Sequence, residues 1–123
     1  MDNLHDAVEQ PRFKAQNPYE VRKEVATKIR EQFPDRYPVI VELYPYAVKR
    51  ITINKKKFLA PGAIPLAKFM LEVRKVINIG RQDALAVMVE SGQMVSGNTT
   101  IEQLYERFKD PDGFLYIQYS ADI

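Results

Sequence analysis

Three consecutive apolar residues, Val39-Ile40-Val41, set the strongest limit on the fold of this chain. They lie within residues 37–44, whose β-branched and aromatic residues predict a strand. Because no residue in this run is polar, neither face of the strand is suited to contact with water. Other elements must therefore cover both faces. The chain has 123 residues, which is about the size of one domain with a single core.

The segment before this strand predicts a helical extension. Residues 1–16 form a polar leader with room for one short helix at residues 6–10, and residues 17–33 predict a longer helix. Asn17 is expected to cap the longer helix, and Pro18 suits its first position. The apolar stripe of this helix is predicted to contain Val21, Val25 and Ile29.

The pattern after the first strand predicts a second strand at residues 49–53, where polar and apolar side chains alternate. The predicted strand consists of Lys49, Arg50, Ile51, Thr52 and Ile53. Because the lysine run 55–57 follows it, this strand is expected to form an edge of the sheet. Lys56 is expected to be solvated there, and the first two strands are predicted to form a hairpin.

The second half of the chain predicts two helices and two strands. Pro65 opens a helix that is expected to end near Gly80, and its apolar face is predicted to consist of Leu66, Phe69, Met70, Val73 and Ile77. Strands are predicted at residues 85–89 and 114–119. Between them, Thr99 and Glu102 predict a capping box at the start of the last helix.

This order of elements, a helix followed by β-β-α-β-α-β, predicts an α+β fold with helices on one face of the sheet. The β-grasp is the best-known fold of this kind. The expected organisation is a polar leader (1–16), a helical extension (17–33) and a single globular domain (34–123).

The composition excludes several classes of protein. Without cysteine the chain has no disulfide, thiolate nucleophile or Cys-ligated zinc, and with His5 as its only histidine it has no His-centred triad. The carboxylates are scattered, so no catalytic residue, metal site or cofactor is expected. No apolar run approaches the ~20 residues that cross a bilayer, and the N-terminus does not predict a signal peptide.

The basic segment 49–58 leaves one alternative open, a nucleic-acid-binding α+β module. This segment mixes lysine and arginine with one aromatic residue, Phe58, as single-strand-binding surfaces do. The formal net charge of the chain is only +2, and no helix-turn-helix or RNP-type signature is present. Steeply salt-dependent binding of generic oligonucleotides is the observation that favours this alternative.

Three motifs give the chain a specific family resemblance. They are PDRYPVIVE at residues 34–42, KKKFLAP at residues 55–61 and FLYIQYS at residues 114–120, with DAL at 83–85 and QLY at 103–105 between them. In this order they resemble the autophagy-related ubiquitin-like proteins, the GABARAP-like family, over residues 17–120. The resemblance implies a ubiquitin-like (β-grasp) domain with a four-stranded mixed sheet and two additional N-terminal helices.

The resemblance also implies two pockets for peptides that carry an aromatic residue, two arbitrary residues and then Leu, Ile or Val. The aromatic pocket is expected to contain Ile29, Pro38, Lys55, Lys57, Leu59 and Phe114. The aliphatic pocket is expected to contain Phe58, Ala60, Pro61, Ile64, Phe69 and Val73. Arg36 is expected to contact the acidic flank of the peptide, and the peptide is expected to pair with the edge at residues 49–53.

Four positions depart from the family pattern. Glu72 stands in place of an aliphatic residue near the second pocket, and Ala60 is smaller than the usual valine. Val25 stands at an often acidic position, and Val76 at a commonly basic one. These departures predict a shallower or more polar aliphatic pocket with an altered peptide preference.

Members of the family are conjugated to phosphatidylethanolamine through a C-terminal glycine. The chain as given ends at Asp122-Ile123, so it cannot form that amide in this form, and both a shortened chain and a natural form without glycine remain open. The implied partners are cargo receptors and adaptors, the conjugation and processing enzymes, and the autophagosomal membrane in a glycine-bearing form. A cytoplasmic monomer is expected.

Overall fold

A computed structural model describes residues 11–80 and 82–122. Two helices precede the sheet, α1 (Phe13–Gln16) and α2 (Tyr19–Gln32). The remaining elements are β1 (Arg36–Leu43), β2 (Lys57–Pro61), α3 (Leu66–Arg74), β3 (Ala86–Val89), α4 (Ile101–Phe108) and β4 (Leu115–Ser120). The short helix predicted at residues 6–10 lies outside the described residues.

The four strands form one mixed sheet in the order β2-β1-β4-β3. β1 pairs with β2 in the antiparallel direction and with β4 in the parallel direction, and β3 is antiparallel to β4. The two central strands are therefore the first and the last along the chain. This is the α+β, β-grasp arrangement with a four-stranded mixed sheet that the sequence predicts.

The apolar run of β1 is buried on both faces, as predicted. Val39 and Val41 belong to the main core, which α3 and α4 cover, whereas Ile40 packs with Ala26 of α2 and with Phe114. The expectation that helices lie on one face is therefore wrong, because α1 and α2 cover the face opposite to α3 and α4. An unbroken apolar strand requires this second layer, since neither of its faces is polar.

The prediction of a strand at residues 49–53 is wrong. In this segment only Ile53 makes a β contact, a single bridge to Ile77. Burial does not alternate along this loop, which buries Ile53 in the core, half-buries residues 50–52 and leaves Lys49 exposed. The edge strand is instead β2, which begins at Lys57.

Three further details of the helices differ from the predictions. Pro18, not Asn17, is the N-cap of α2, and the Asn17 side chain donates a hydrogen bond to the carbonyl oxygen of Phe13 at the end of α1. The capping box of α4 is formed by Thr100 and Gln103, one residue later than predicted, because the helix begins at Ile101. Also, α3 ends at Arg74, well before Gly80.

The apolar stripe predicted for α2 is not its buried face. Ala26 is the buried residue of this helix, whereas Val21 is exposed and Val25 is half-buried. A small side chain is needed here because Gly113 packs against the helix with a φ of 92°, and a Cβ at Gly113 would lie only 2.9 Å from that of Ala26.

Candidate peptide-binding site

The candidate site is built on the free edge of β2. In the antiparallel pair with β1, the amide of Val41 donates a hydrogen bond to the carbonyl oxygen of Lys56 at 2.8 Å. Because hydrogen-bonded and non-hydrogen-bonded pairs alternate, the main-chain groups of Lys57 and Leu59 face away from β1. Pro61 has no N–H, so the open donors of this edge end at Leu59.

The side chains of β2 alternate between the two faces of the sheet. Leu59 is opposite Pro38 and Lys57 is opposite Ile40, which places both on the α2 side. Phe58 lies on the other side with the main core, and Ala60 is buried there. One edge strand therefore separates two candidate subsites, which lie on opposite faces of the sheet.

The predicted aliphatic subsite coincides with a cavity of about 340 Å³. The cavity is lined by Lys55, Phe58, Leu59, Ala60, Pro61, Ile64, Phe69, Glu72, Lys75 and Val76. The rings of Phe58 and Phe69 meet edge to face, with centroids 5.5 Å apart. Of the residues predicted for this subsite, Val73 is fully buried in the core and does not line the cavity.

Charged side chains lie at the rim of this cavity. The Lys55 ammonium lies 4.9 Å from the centre of the Phe58 ring, so Lys55 belongs to the aliphatic side and not to the aromatic pocket where it was predicted. Lys75, which the sequence reasoning missed, pairs with Glu72 at 3.1 Å. Both members of this pair are largely exposed, so the pair contributes little to stability.

Of the residues predicted for the aromatic subsite, some are exposed and others are buried. Leu59 is 38% exposed and Ile29 is half-buried, so both offer apolar surface, whereas Pro38, opposite Leu59, is buried. Phe114 is fully buried, and the ring of Phe13 packs against it edge to face at 5.2 Å. Phe114 therefore forms part of the layer beneath the subsite and has no surface for a ligand to contact in this state.

A polar clamp holds the N-terminal segment 11–16 over this layer. The amide of Phe13 donates a hydrogen bond to Glu42 Oε2 at 2.7 Å, and Lys56 Nζ donates to the same oxygen at 3.0 Å. Lys56 Nζ also donates to the carbonyl oxygen of Pro11 at 2.7 Å. The expectation that Lys56 is simply solvated is wrong, because the buried carboxylate of Glu42 draws it inward.

Lys14 forms a second anchor for the same segment. Its ammonium pairs with Asp110 at 2.7 Å and with Glu90 at 2.9 Å. Burial alone lowers the pKa of Lys14, but the hydrogen bonds and charges of these two carboxylates outweigh burial and raise it. Burial raises the pKa of Asp110, but its hydrogen bonds with Lys14 and with the Asp112 amide lower it overall.

Replacing Phe13 with alanine is expected to lower the free energy of unfolding by about 1–3 kcal/mol, because the ring is half-buried against Phe114. Urea denaturation followed by circular dichroism measures this change. Val48→Ala is the control, since this side chain is 84% exposed and an exposed side chain contributes within about 0.5 kcal/mol. Equal effects of the two substitutions would contradict the packing of segment 11–16 on the sheet.

A buried ionic network behind the site was missed by the sequence reasoning. Asp112 is fully buried and pairs with Arg22 of α2 at 2.9 Å. Its carboxylate also accepts hydrogen bonds from the Tyr116 hydroxyl at 2.6 Å and from the Phe114 amide at 2.8 Å. Burial and the bond to Asp112 raise the pKa of Tyr116. In the sequence, the one indication of this network was Arg22. It lies four residues before Ala26, so it is on the same side of the helix as that buried residue.

A second apolar groove lies between α3 and β3, on the far side of α3 from the candidate site. It has a volume of about 390 Å³, and its walls include Met70, Leu85 and Val87. Met94 and Leu71 also line it and are largely exposed. The sequence reasoning assigned no site to this groove.

Neither a metal cluster nor a membrane span accompanies these features in residues 11–80 and 82–122. No group of three or more His, Cys, Asp or Glu side chains in this part of the chain could hold a metal ion. Within the same part, no helix is long and apolar enough to cross a bilayer.

The sheet order β2-β1-β4-β3, with the main core packed under α3 and α4, defines a protein of the ubiquitin-like class. The family model described as "Autophagy protein Atg8 ubiquitin like" matches residues 21–123. The chain belongs to this Atg8 family.

Similar proteins support the assignment across almost the whole chain. "Autophagy-related protein 8" of Dictyostelium discoideum is 41% identical over 111 residues, which is 89% of each chain. "Autophagy-related protein 8a" of Arabidopsis thaliana is 39% identical over 110 residues, 89% of this chain and 88% of the relative. The crystal structure of Trypanosoma brucei ATG8 superposes with a TM-score of 0.81 at 30% identity, covering 91% of this chain and 95% of that one.

Proposed function

We propose that this chain is an autophagy modifier that binds aromatic-x-x-Leu/Ile/Val peptides along β2. The proposal rests on the alternation of side chains along β2, the open edge strand. Leu59 lies on one face of the sheet and Phe58 on the other. The open main-chain groups of Lys57 and Leu59 can extend the sheet by a peptide strand, and the two faces supply the subsites.

The spacing of the peptide anchors follows from strand geometry. Side chains alternate along an extended peptide, so residues separated by two others point to opposite faces of the sheet. An aromatic anchor can then pack on the exposed apolar surface of Leu59 and Ile29, while the aliphatic anchor enters the cavity beside Phe69. A peptide with one intervening residue would direct both anchors to the same face.

The charge of the surrounding segment suits an acidic peptide. Between Glu42 and Glu72 the sequence has six lysine or arginine residues and no acidic residue. Lys57 and Arg36 are exposed at the two ends of the paired region, and each exposed contact contributes about 1 kcal/mol or less. Burial of an aliphatic anchor contributes roughly 1.5–3 kcal/mol. After the entropic cost of ordering the peptide, dissociation constants on the order of micromolar are expected.

Two contacts weigh against the nucleic-acid alternative. Lys56 is turned toward Glu42, and Lys55 lies over the ring of Phe58. These contacts make the basic run less continuous than a surface that follows a nucleic-acid backbone requires.

Membership of the Atg8 family supports the rest of the proposal. A glycine-bearing form would be conjugated to phosphatidylethanolamine, so the chain would recruit receptors and adaptors to autophagosomal membranes from the cytoplasm. Processing and conjugation enzymes would be its other partners. The chain itself would act by recognition and would not be an enzyme.

Calorimetric titration with four acidic-flanked peptides tests the binding proposal. A Trp-x-x-Leu peptide is expected to bind with a dissociation constant on the order of micromolar. The peptides Trp-x-Leu, Ala-x-x-Leu and Trp-x-x-Ala are expected to bind at least about tenfold more weakly, because each loses one anchor. Equal binding of Trp-x-Leu would contradict the two-face arrangement.

Replacing Glu72 with leucine is expected to tighten binding of the Trp-x-x-Leu peptide about threefold to tenfold. Glu72 lines the cavity, so the substitution adds apolar surface that the aliphatic anchor buries, worth roughly 1 kcal/mol. Glu24→Leu on α2 is the matched control, because this glutamate lies on an exposed helix face away from the cavity. The same titration measures both variants, and an equal gain in both would indicate nonspecific binding.

A further inference from the structure

The turn between β1 and the loop that follows it displays apolar side chains to solvent. Tyr46 is 81% exposed and Val48 is 84% exposed, more than any other large hydrophobic residue in the described ranges 11–80 and 82–122. The ring of Tyr44 meets that of Tyr46 edge to face at 5.6 Å. Lys49 follows directly and is also exposed. We call residues 46–49 the exposed tip.

Hydrogen bonds hold the exposed tip in place, so its exposure is built into the fold. The Arg50 guanidinium donates to the carbonyl oxygens of Pro45 and Ala47, each at 3.1 Å. The amides of Val48 and Lys49 donate to the carboxylate of Asp122, which follows β4. The exposed tip therefore lies beside the last described residues of the chain.

The chemistry of the tip matches the interfacial region of a lipid bilayer. Tyrosine places its ring among headgroups with the hydroxyl in water, and an adjacent lysine attracts anionic lipids. The Asp122 carboxylate beside the tip accepts hydrogen bonds from the two backbone amides. The side chains of Tyr46 and Val48 project into solvent and line none of the three cavities at residues 11–12 and 42–56, 66–97 and 55–76. A protruding tip without a pocket suits a lipid surface better than a peptide.

We propose that the exposed tip contacts an anionic lipid surface when the chain is tethered to the membrane by its C-terminal end. The tether belongs to the function proposed above, and this inference rests on it. Partial insertion of Tyr46 and Val48 into the lipid, together with the charge of Lys49, is too weak for stable binding of the free protein. A tether at the neighbouring C-terminus raises the effective concentration of the lipid surface and makes the contact effective. The contact would then orient the domain on the membrane.

The chain contains no cysteine and no tryptophan, so one of each can be introduced as a unique probe. A cysteine added after Ile123 couples the full chain to vesicles that contain a maleimide lipid. Tyr46→Trp reports on the exposed tip. Tyr19→Trp is the control, because the Tyr19 hydroxyl lies near Pro111, which precedes β4 at its opposite end.

On tethering to vesicles of phosphatidylcholine and phosphatidylserine, the fluorescence of the Tyr46→Trp variant is expected to shift to shorter wavelength. It is also expected to be quenched by brominated lipid, whereas the Tyr19→Trp variant stays unchanged. Adding Lys49→Glu to the Tyr46→Trp variant is expected to reduce the shift. Identical spectra of the free and tethered Tyr46→Trp variant would overturn the inference, as would equal shifts at both probes.

The peptide titration separates this inference from the function on which it rests. The Tyr46→Trp variant is expected to bind the Trp-x-x-Leu peptide as the unchanged chain does, since the exposed tip lies outside β2. Normal peptide binding without a spectral shift would remove the membrane contact and leave the proposed recognition intact. Failure of the unchanged chain to bind the peptide would remove the proposed recognition itself.

Discussion

Asp112→Ala is expected to lower the free energy of unfolding by about 3–5 kcal/mol, the usual cost of removing one partner from a buried ion pair. The substitution leaves Arg22 with only 11% of its side chain exposed and without its carboxylate. It also removes the acceptor of the Tyr116 hydroxyl and of the Phe114 amide. Since domains are stable by only about 5–15 kcal/mol, a large share of the total would be lost.

Urea denaturation followed by circular dichroism measures this effect. Glu24→Ala is the matched control, because its pair with Lys28 is about two-thirds exposed and contributes no more than about 0.5 kcal/mol. In the double variant Arg22→Met/Asp112→Ala, part of the loss is expected to be recovered, since no uncompensated charge remains buried. A loss for Asp112→Ala no larger than that for Glu24→Ala would show that the network does not hold α2 to the sheet.

Leu59→Pro is expected to weaken binding of the Trp-x-x-Leu peptide at least about tenfold more than Leu59→Ala does. Both substitutions remove apolar contact with the aromatic anchor. Only proline also removes the outward N–H of β2 and places its ring on the open edge. Because the Leu59 main chain faces away from β1, proline there breaks no hydrogen bond of the sheet.

Calorimetry of the two variants at Leu59 measures the difference, and urea denaturation checks that both remain folded. The free energies of unfolding of the two variants are expected to agree within about 1 kcal/mol, since proline is tolerated at a solvent-facing edge. Equal affinities of the two variants would mean that the peptide does not pair with the main chain of β2.

The parts of the fold that the sequence predicted are those where a residue pattern has one physical solution. The apolar run of β1 required cover on both faces, and Ile40 and Val41 are buried on opposite sides. The apolar faces of α3 and α4 repeat at helical spacing over several turns, and Leu66, Phe69 and Leu104 lie in the core as expected.

The second strand was mispredicted because a short alternating pattern does not specify a pairing partner. Residues 49–53 alternate more clearly than Lys57–Pro61, whose lysine and proline are unfavourable for a strand. The strand forms at 57–61 because β1 supplies its hydrogen-bonding partner, from Ile40 opposite Lys57 to Arg36 opposite Pro61. For the same reason, the open edge of the sheet is β2 and not residues 49–53.

The candidate site could be predicted only in part. The family resemblance brought together most of the residues that line the aliphatic cavity, but it did not indicate Lys75. The packing of Phe13 over Phe114 joins positions 101 residues apart, and the Arg22–Asp112 pair joins positions 90 apart. No local pattern specifies such contacts, because each side chain alone is compatible with solvent exposure.

The pairing of a peptide with β2 is tested most directly by nuclear magnetic resonance. The isotope-labelled full chain would be titrated with the acidic-flanked Trp-x-x-Leu peptide. Saturable amide shifts are expected to centre on Lys57 and Leu59, with nuclear Overhauser contacts from the tryptophan ring to the Leu59 methyls and from the peptide leucine to Phe69. Three outcomes would contradict the proposed recognition. They are shifts centred on the groove between α3 and β3, contacts of both anchors on one face of β2, and no shifts at millimolar peptide.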